Sequence, residues 1–160
     1  MKKLWILSVG TIKETYLTSG IAEYAKRLKP YFDLEIVEVA EETCKKKPSE
    51  GDILQIQAEE GKRLLAKIPD RAWIYVLDQE GTQLTSLEFS SLLEKSLTYQ
   101  NEAIAFVIGG SWGLSQAVKE RAKSRLSFSR LTFPHQLMRL IFLEQLYRAV
   151  SIIHNSDYHK

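Results

Sequence analysis

The chain has 160 residues, enough for one domain with its own core, and its 44% apolar and 26% charged content is ordinary for a soluble globular protein. A net charge of +2 supplies no global basic field, so an RNA partner would have to be met through a local patch, through charge doubling in a dimer, or through shape. The single cysteine, Cys44, excludes an intramolecular disulfide and fits a reducing compartment. His135, His154 and His159 are not at any metal-ligand spacing, and no apolar run reaches bilayer-spanning length.

In chain order, Leu4–Val9 is a short apolar run ending at Gly10, the pattern of a buried strand. Lys2-Lys3 ahead of it imitates a signal peptide, but Gly10 and Lys13 break the run. Tyr16–Leu28 has helical spacing and stops before Pro30, and Leu34, Ile36, Val37 and Val39 predict a second strand. Residues 40–52, with Glu41, Glu42, three lysines, Pro48 and Gly51, predict a surface loop rather than a domain boundary. Ile53–Ile68 predicts a helix, and Ala72–Leu77 a third strand with Asp78 at its end and Gln79-Glu80-Gly81 as a turn. Thr85 or Ser86 caps a helix through about Tyr99. Ala103–Ile108 predicts a fourth strand running into Gly109-Gly110-Ser111-Trp112-Gly113, and Ser115 caps a short helix rich in Lys119, Arg121, Lys123 and Arg125. Leu126–Phe133 is a fifth strand or an extended loop. A helix over about 136–153 and a polar tail, Tyr158-His159-Lys160, close the chain.

Strict β-α alternation predicts an α/β fold, a single domain over 1–160 with a mostly parallel sheet and helices on both faces. Ligands of such sheets bind beyond the carboxyl ends of the strands. Three of those ends carry suggestive chemistry: Leu77-Asp78, Gly109-Gly110 and the Ser129–Pro134 segment. The glycine loop is neither G-x-G-x-x-G nor a P-loop, so it serves either close ligand approach or merely a tight turn. The cations at 119, 121, 123, 125 and 130 form either a solvated face or a phosphate-neutralising patch. His135 reads as a structural hydrogen-bond partner more readily than as a base. The last helix is apolar nearly all round, with Glu144, Gln145, Arg148 and Ser151 on a narrow polar stripe. Such a helix is buried on several sides, one of them plausible for a second subunit. Arg139 falls off the stripe, and is either exposed in the first turn or lines an anion-binding or substrate pocket.

Taken together, these residues resemble the ribosomal RNA large subunit methyltransferase H family of the SPOUT, or trefoil-knot, class. The resemblance is carried by Val9-Gly10, Glu23-Tyr24 with Arg27-Leu28, Glu60-Gly61, Leu77-Asp78 with Gly81, Ile108-Gly109-Gly110 with Gly113-Leu114, and Leu126-Ser127. It continues through Pro134-His135, Arg139, Glu144-Gln145, Tyr147-Arg148-Ala149 and the terminal Tyr158-His159-Lys160. It implies S-adenosyl-L-methionine as methyl donor and N3 of pseudouridine 1915, in helix 69 of 23S rRNA, as acceptor on the assembled ribosome. It also implies a homodimer with a C-terminal knot, a cytoplasmic location, and neither metal nor membrane. The cofactor pocket it implies is Leu77, Gly109, Gly110, Phe128, Ser129, Arg130, Leu131, Thr132 and Phe133. His159 is then the candidate base, Tyr158 orients the base, and Arg139 and Lys160 stabilise negative charge or hold phosphate. His135 and Arg125 face the substrate side. Trp112 in the glycine loop and Thr82-Gln83 after Gly81 depart from the family pattern.

Overall fold

The structure, a computed structural model, describes residues 1–160. The elements are β1 (Lys2–Val9), α1 (Thr15–Leu28), β2 (Phe32–Val39), α2 (Glu50–Lys67), β3 (Trp73–Gln83), α3 (Ser86–Tyr99), β4 (Ala103–Ile108), α4 (Gln116–Arg121), β5 (Ser124–Ser127) and α5 (His135–Ile153). All five strands are parallel, in the order β2-β1-β4-β3-β5. The expected alternation is present element for element.

The side-chain period of two splits the core into two layers. Leu4, Ile6, Tyr75, Ile104 and Phe106 face α1, α3 and α5; Leu7, Val9, Ile74, Val76, Ala105 and Val107 face α2 and α4. β4, buried at every position, is the central strand. Helix α5 lies between α1 and α3 and sends Phe142, Leu143, Leu146 and Val150 into the first layer. Each such side chain contributes about 1.5–3 kcal/mol on burial. Gly20 of α1 permits the closest approach, since a Cβ there would lie 2.9 Å from Leu140 Cδ1.

Several boundaries move, for local reasons. α2 begins at Glu50 rather than Ile53, because Ser49 and Asp52 form a reciprocal capping box at 3.1 and 3.0 Å. Thr85, not Ser86, caps α3, in the same way with Glu88. β5 ends at Ser127, and the chain from 128 to 134 is loop. Lys123 and Arg125 lie beyond the short helix α4, with Arg125 in β5. The expected turn at 79–81 is a detour inside β3: Leu77 and Thr82 both pair with Leu126, and residues 78–81 leave the ladder between them. Gly81 makes the detour possible, since a Cβ there would fall 2.7 Å from the Arg125 backbone. Ser151, expected on the polar stripe, is buried.

The faces chosen by successive helices position the site. The chain leaves β3 and β5 toward the α1/α3/α5 layer but leaves β4 toward the α2/α4 layer. Connections that diverge from neighbouring strands open a crevice at their carboxyl ends.

Candidate active site

A cavity of about 460 Å³ occupies that crevice, between the ends of β3, β4 and β5. Leu77, Ile108, Leu114 and Leu126 give it an apolar floor; its walls are 78–80, the glycine loop 109–113, and the segment after β5, with His135 and Met138 of α5. Leu77, Gly109, Gly110, Phe128, Ser129, Leu131, Thr132, Phe133 and His135 all line it. Arg130 does not, but its carbonyl oxygen accepts from Gln79 Nε2 at 2.7 Å, and the same amide reaches Thr132 Oγ1 at 3.2 Å. Phe128 anchors this wall through ring contacts to Phe89 and Phe142 at 5.6 and 5.7 Å.

The glycine loop is a turn closed by Gly113 N donating to Gly110 O at 3.1 Å. Gly113, at φ +82°, takes the left-handed conformation that favours glycine. Gln57 of α2 pins the loop by donating to Trp112 O at 2.6 Å. His135 joins the loop to α5 through Nδ1 and Ser111 Oγ at 3.4 Å, and its Nε2 is buried without a partner. Burial, followed by the Arg139 charge, pulls the His135 pKa down, so the ring is neutral at pH 7. On the outer wall Asp78 Oδ2 lies 3.5 Å from both Lys119 Nζ and Arg125 Nη1. Arg125 is thus ion-paired beside the cavity, whereas Lys119 lines it.

Arg139 is neither exposed nor in the cavity lining. It is 6% exposed, and Nη1 donates to Glu38 Oε2 at 2.6 Å while Nη2 donates to Val9 O and to Gly10 O, the latter at 2.8 Å. The guanidinium therefore ties α5 to the ends of β1 and β2. This corrects the reading of Arg139 as exposed: a buried charge with three acceptors acts as a structural clamp.

The tail is docked away from its own cavity. Tyr158 OH donates to Glu144 Oε1 at 3.0 Å and lies 3.0 Å from Tyr24 OH, which is left to donate to it. Its ring packs edge-on against Tyr147 at 4.8 Å and under the Arg148 guanidinium at 4.9 Å. Burial, then the bonds to Tyr24 and Glu144, push the Tyr158 phenol well above its usual pKa, so it stays protonated. Arg148 Nη1 stands 3.2 Å from His159 Nδ1; arginine can only donate, so Nδ1 accepts and the imidazole proton sits on Nε2. Lys160 is exposed. From His135 at the cavity to Glu144 is nine residues, about 14 Å along α5. Sequence placed Glu144 and Arg148 on the helix's polar stripe without revealing this docking role. Gln57 and Gln79 carried no sequence signal at all, because their partners lie 55 and 51 residues away.

The family model described as "Predicted SPOUT methyltransferase" matches residues 2–159. The chain belongs to the SPOUT methyltransferase family. Within it, the chain is 49% identical to ribosomal RNA large subunit methyltransferase H of Listeria monocytogenes over 155 residues, covering 97% of this chain and 98% of that one. The methyltransferase H of Bacillus pumilus is equally similar, at 49% over the same shares. A solved methylase-family protein from Haemophilus influenzae has the same fold as this SPOUT methyltransferase at a TM-score of 0.52 and 14% identity, over 99% of this chain and 71% of the other.

Proposed function

We propose that this methyltransferase uses S-adenosyl-L-methionine to methylate N3 of pseudouridine 1915 in helix 69 of 23S rRNA, on the assembled ribosome in the cytoplasm. The near full-length identity to enzymes named for large-subunit rRNA methylation carries the reading. The cavity supports the donor: an apolar floor suits an adenine ring, and glycine backbone allows close approach. Leu77, Gly109, Gly110 and the 128–133 segment would hold the molecule, which supplies an electrophilic methyl group on a sulfonium.

The chain's own task is positioning and proton management. N3 of pseudouridine must lose its proton for attack. The tail supplies the candidates: Tyr158, kept neutral, to orient the base, His159 to take the proton and Lys160 to hold phosphate. His159 Nδ1 is occupied by Arg148 in the docked tail, so the ring becomes a base only when Arg148 releases it. Arg139 keeps the clamp role and is not assigned to the chemistry.

The docked tail does not line its own cavity, and α5 keeps Leu137, Ile141 and Ile152 only half-buried. A homodimer formed through this face, with each tail serving the partner's cavity, accounts for both features. The path of α5, which leaves the β5 edge and returns to pack between α1 and α3 over the sheet centre, supports a trefoil knot.

The test is transfer of labelled methyl from S-adenosyl-L-methionine to ribosomes lacking the helix 69 methyl group, with the label mapped by mass spectrometry. One methyl on that pseudouridine is expected. Cofactor binding without transfer would move the search to another RNA. Mixed dimers of a His159→Ala chain and a Gly110→Trp chain should regain activity that neither homodimer has; no recovery would refute service in trans.

A further inference from the structure

Of the large apolar side chains that the fold leaves exposed, two line the cavity: Trp112, 39% exposed, and Leu131, 70% exposed. They stand on different walls, Trp112 after β4 and Leu131 after β5, with β3 between those strands. Trp112 stands part-exposed at the cavity and belongs to neither of the two buried core clusters. The same turn would close around a small residue, because its geometry comes from Gly110 and Gly113.

We propose that Trp112 is the platform on which the methyl-accepting nucleobase stacks. This rests on the RNA-methylation reading, which requires a base to enter the mouth of the cavity. Three features prepare the indole before any substrate arrives. The turn that carries it is closed by the Gly113-to-Gly110 hydrogen bond and by a bridge between the same two residues. Its carbonyl is pinned by Gln57. Trp112 follows Ser111, which His135 of α5 contacts at 3.4 Å. The backbone under the ring is therefore fixed from α2 and from α5 at once.

Location separates the two flat ligands the site has to accommodate. The enclosed apolar surface is deep, at Ile108, Leu114 and Leu126, each 5% exposed or less, and suits the adenosine of the donor. The exposed aromatic surface is at the rim, where the acceptor enters. A base taken out of its RNA stack has two wet π-faces, and an aromatic side chain covers one of them whatever the base identity. Lys119 in the lining and Arg125 beside the cavity share the one carboxylate of Asp78, which leaves a net positive charge there for a flanking phosphate.

The experiment compares wild type, Trp112→Ala and Trp112→Phe, as full-length chains, on ribosomes lacking the helix 69 methyl group. Stacking on one aromatic predicts that Trp112→Ala raises the KM for ribosomes by about 5- to 100-fold. The dissociation constant for S-adenosyl-L-methionine, measured by calorimetry, should stay within about twofold, and Trp112→Phe should recover most of the loss. Because the ring is on the rim, circular dichroism melting should show all three folded. An unchanged KM for ribosomes in Trp112→Ala would overturn the proposal. So would a selective loss of cofactor affinity, which assigns the indole to the donor. Cofactor binding by wild type with no transfer to any ribosomal substrate is a distinct failure, that of the underlying reading. Tryptophan emission supplies a readout free of turnover: an RNA hairpin carrying the target loop should quench wild type more than Trp112→Phe, and equal quenching would count against stacking.

Discussion

Replacing Arg139 by methionine removes a charge from the interior while keeping most of the side-chain volume. Two buried carbonyl oxygens, Val9 O and Gly10 O, lose their donor, and each unsatisfied group costs about 1–3 kcal/mol. Glu38 loses its ion-pair partner, but its side chain is 38% exposed and rehydrates, which limits its share to about 0–1 kcal/mol. The sum, about 2–7 kcal/mol, brackets the roughly 3–5 kcal/mol that breaking a buried pair from one side usually costs, and that narrower range sets the expectation. At roughly 2–4 °C per kcal/mol for a chain of this size, the melting temperature should fall by about 6–20 °C. Arg139→Lys should fall between, because one ammonium cannot reproduce the forked donation to three acceptors. Urea unfolding followed by circular dichroism, at fixed protomer concentration because association stabilises by mass action, gives the number directly. A loss below about 1 kcal/mol accompanied by collapse of the single-turnover methylation rate would refute the clamp and restore Arg139 to an anion-binding role.

Glu60 is 5% exposed; its Oε2 accepts from Glu42 N at 2.9 Å, its Oε1 is buried without a partner, and burial raises its pKa. A carboxyl whose folded pKa lies above its unfolded value contributes stability in full below the unfolded value and loses it as pH rises through the folded one. Glu60→Gln should therefore gain on the order of 1 kcal/mol at pH 7–8 and little near pH 4.5, read as the pH dependence of the urea midpoint; equal midpoints at both pH values would contradict the burial argument. Gly81→Ala should destabilise by several kcal/mol, since the added methyl meets β5 backbone that cannot move without breaking the ladder; a melting temperature within 2 °C or so of wild type would show that the detour relaxes freely. Tyr158→Phe removes the phenol from Glu144 and Tyr24 and should raise amide exchange over 155–160 by roughly tenfold or more, with core exchange unchanged. Unaltered tail exchange would mean that ring packing alone holds it.

Sequence determined the order of elements, because that is written in local periodicity: the short apolar runs of β1 and β4, the helical spacing of α1, the proline before α5. It also marked the strand ends that line the cavity, since ligands of a parallel sheet bind beyond the carboxyl ends of its strands and three of those ends carried suitable chemistry. Leu77, Gly109, Gly110 and the segment from Ser129 follow from that rule alone, and the family resemblance added Phe128 to the same cavity. Tertiary structure decided what depends on distant pairs. Arg139 is invisible as a clamp until β1 and β2 place two carbonyls and Glu38 around it. Gln57 and Gln79 hold cavity walls through partners more than 50 residues away. The tail reads as a frayed end until Glu144, Arg148 and Tyr24 are seen to receive it. Periodicity reports which face of an element is apolar, but not which distant residues that face will meet. A buried charge or a docking amide is defined by its partner, and the partner is chosen only when the chain closes on itself.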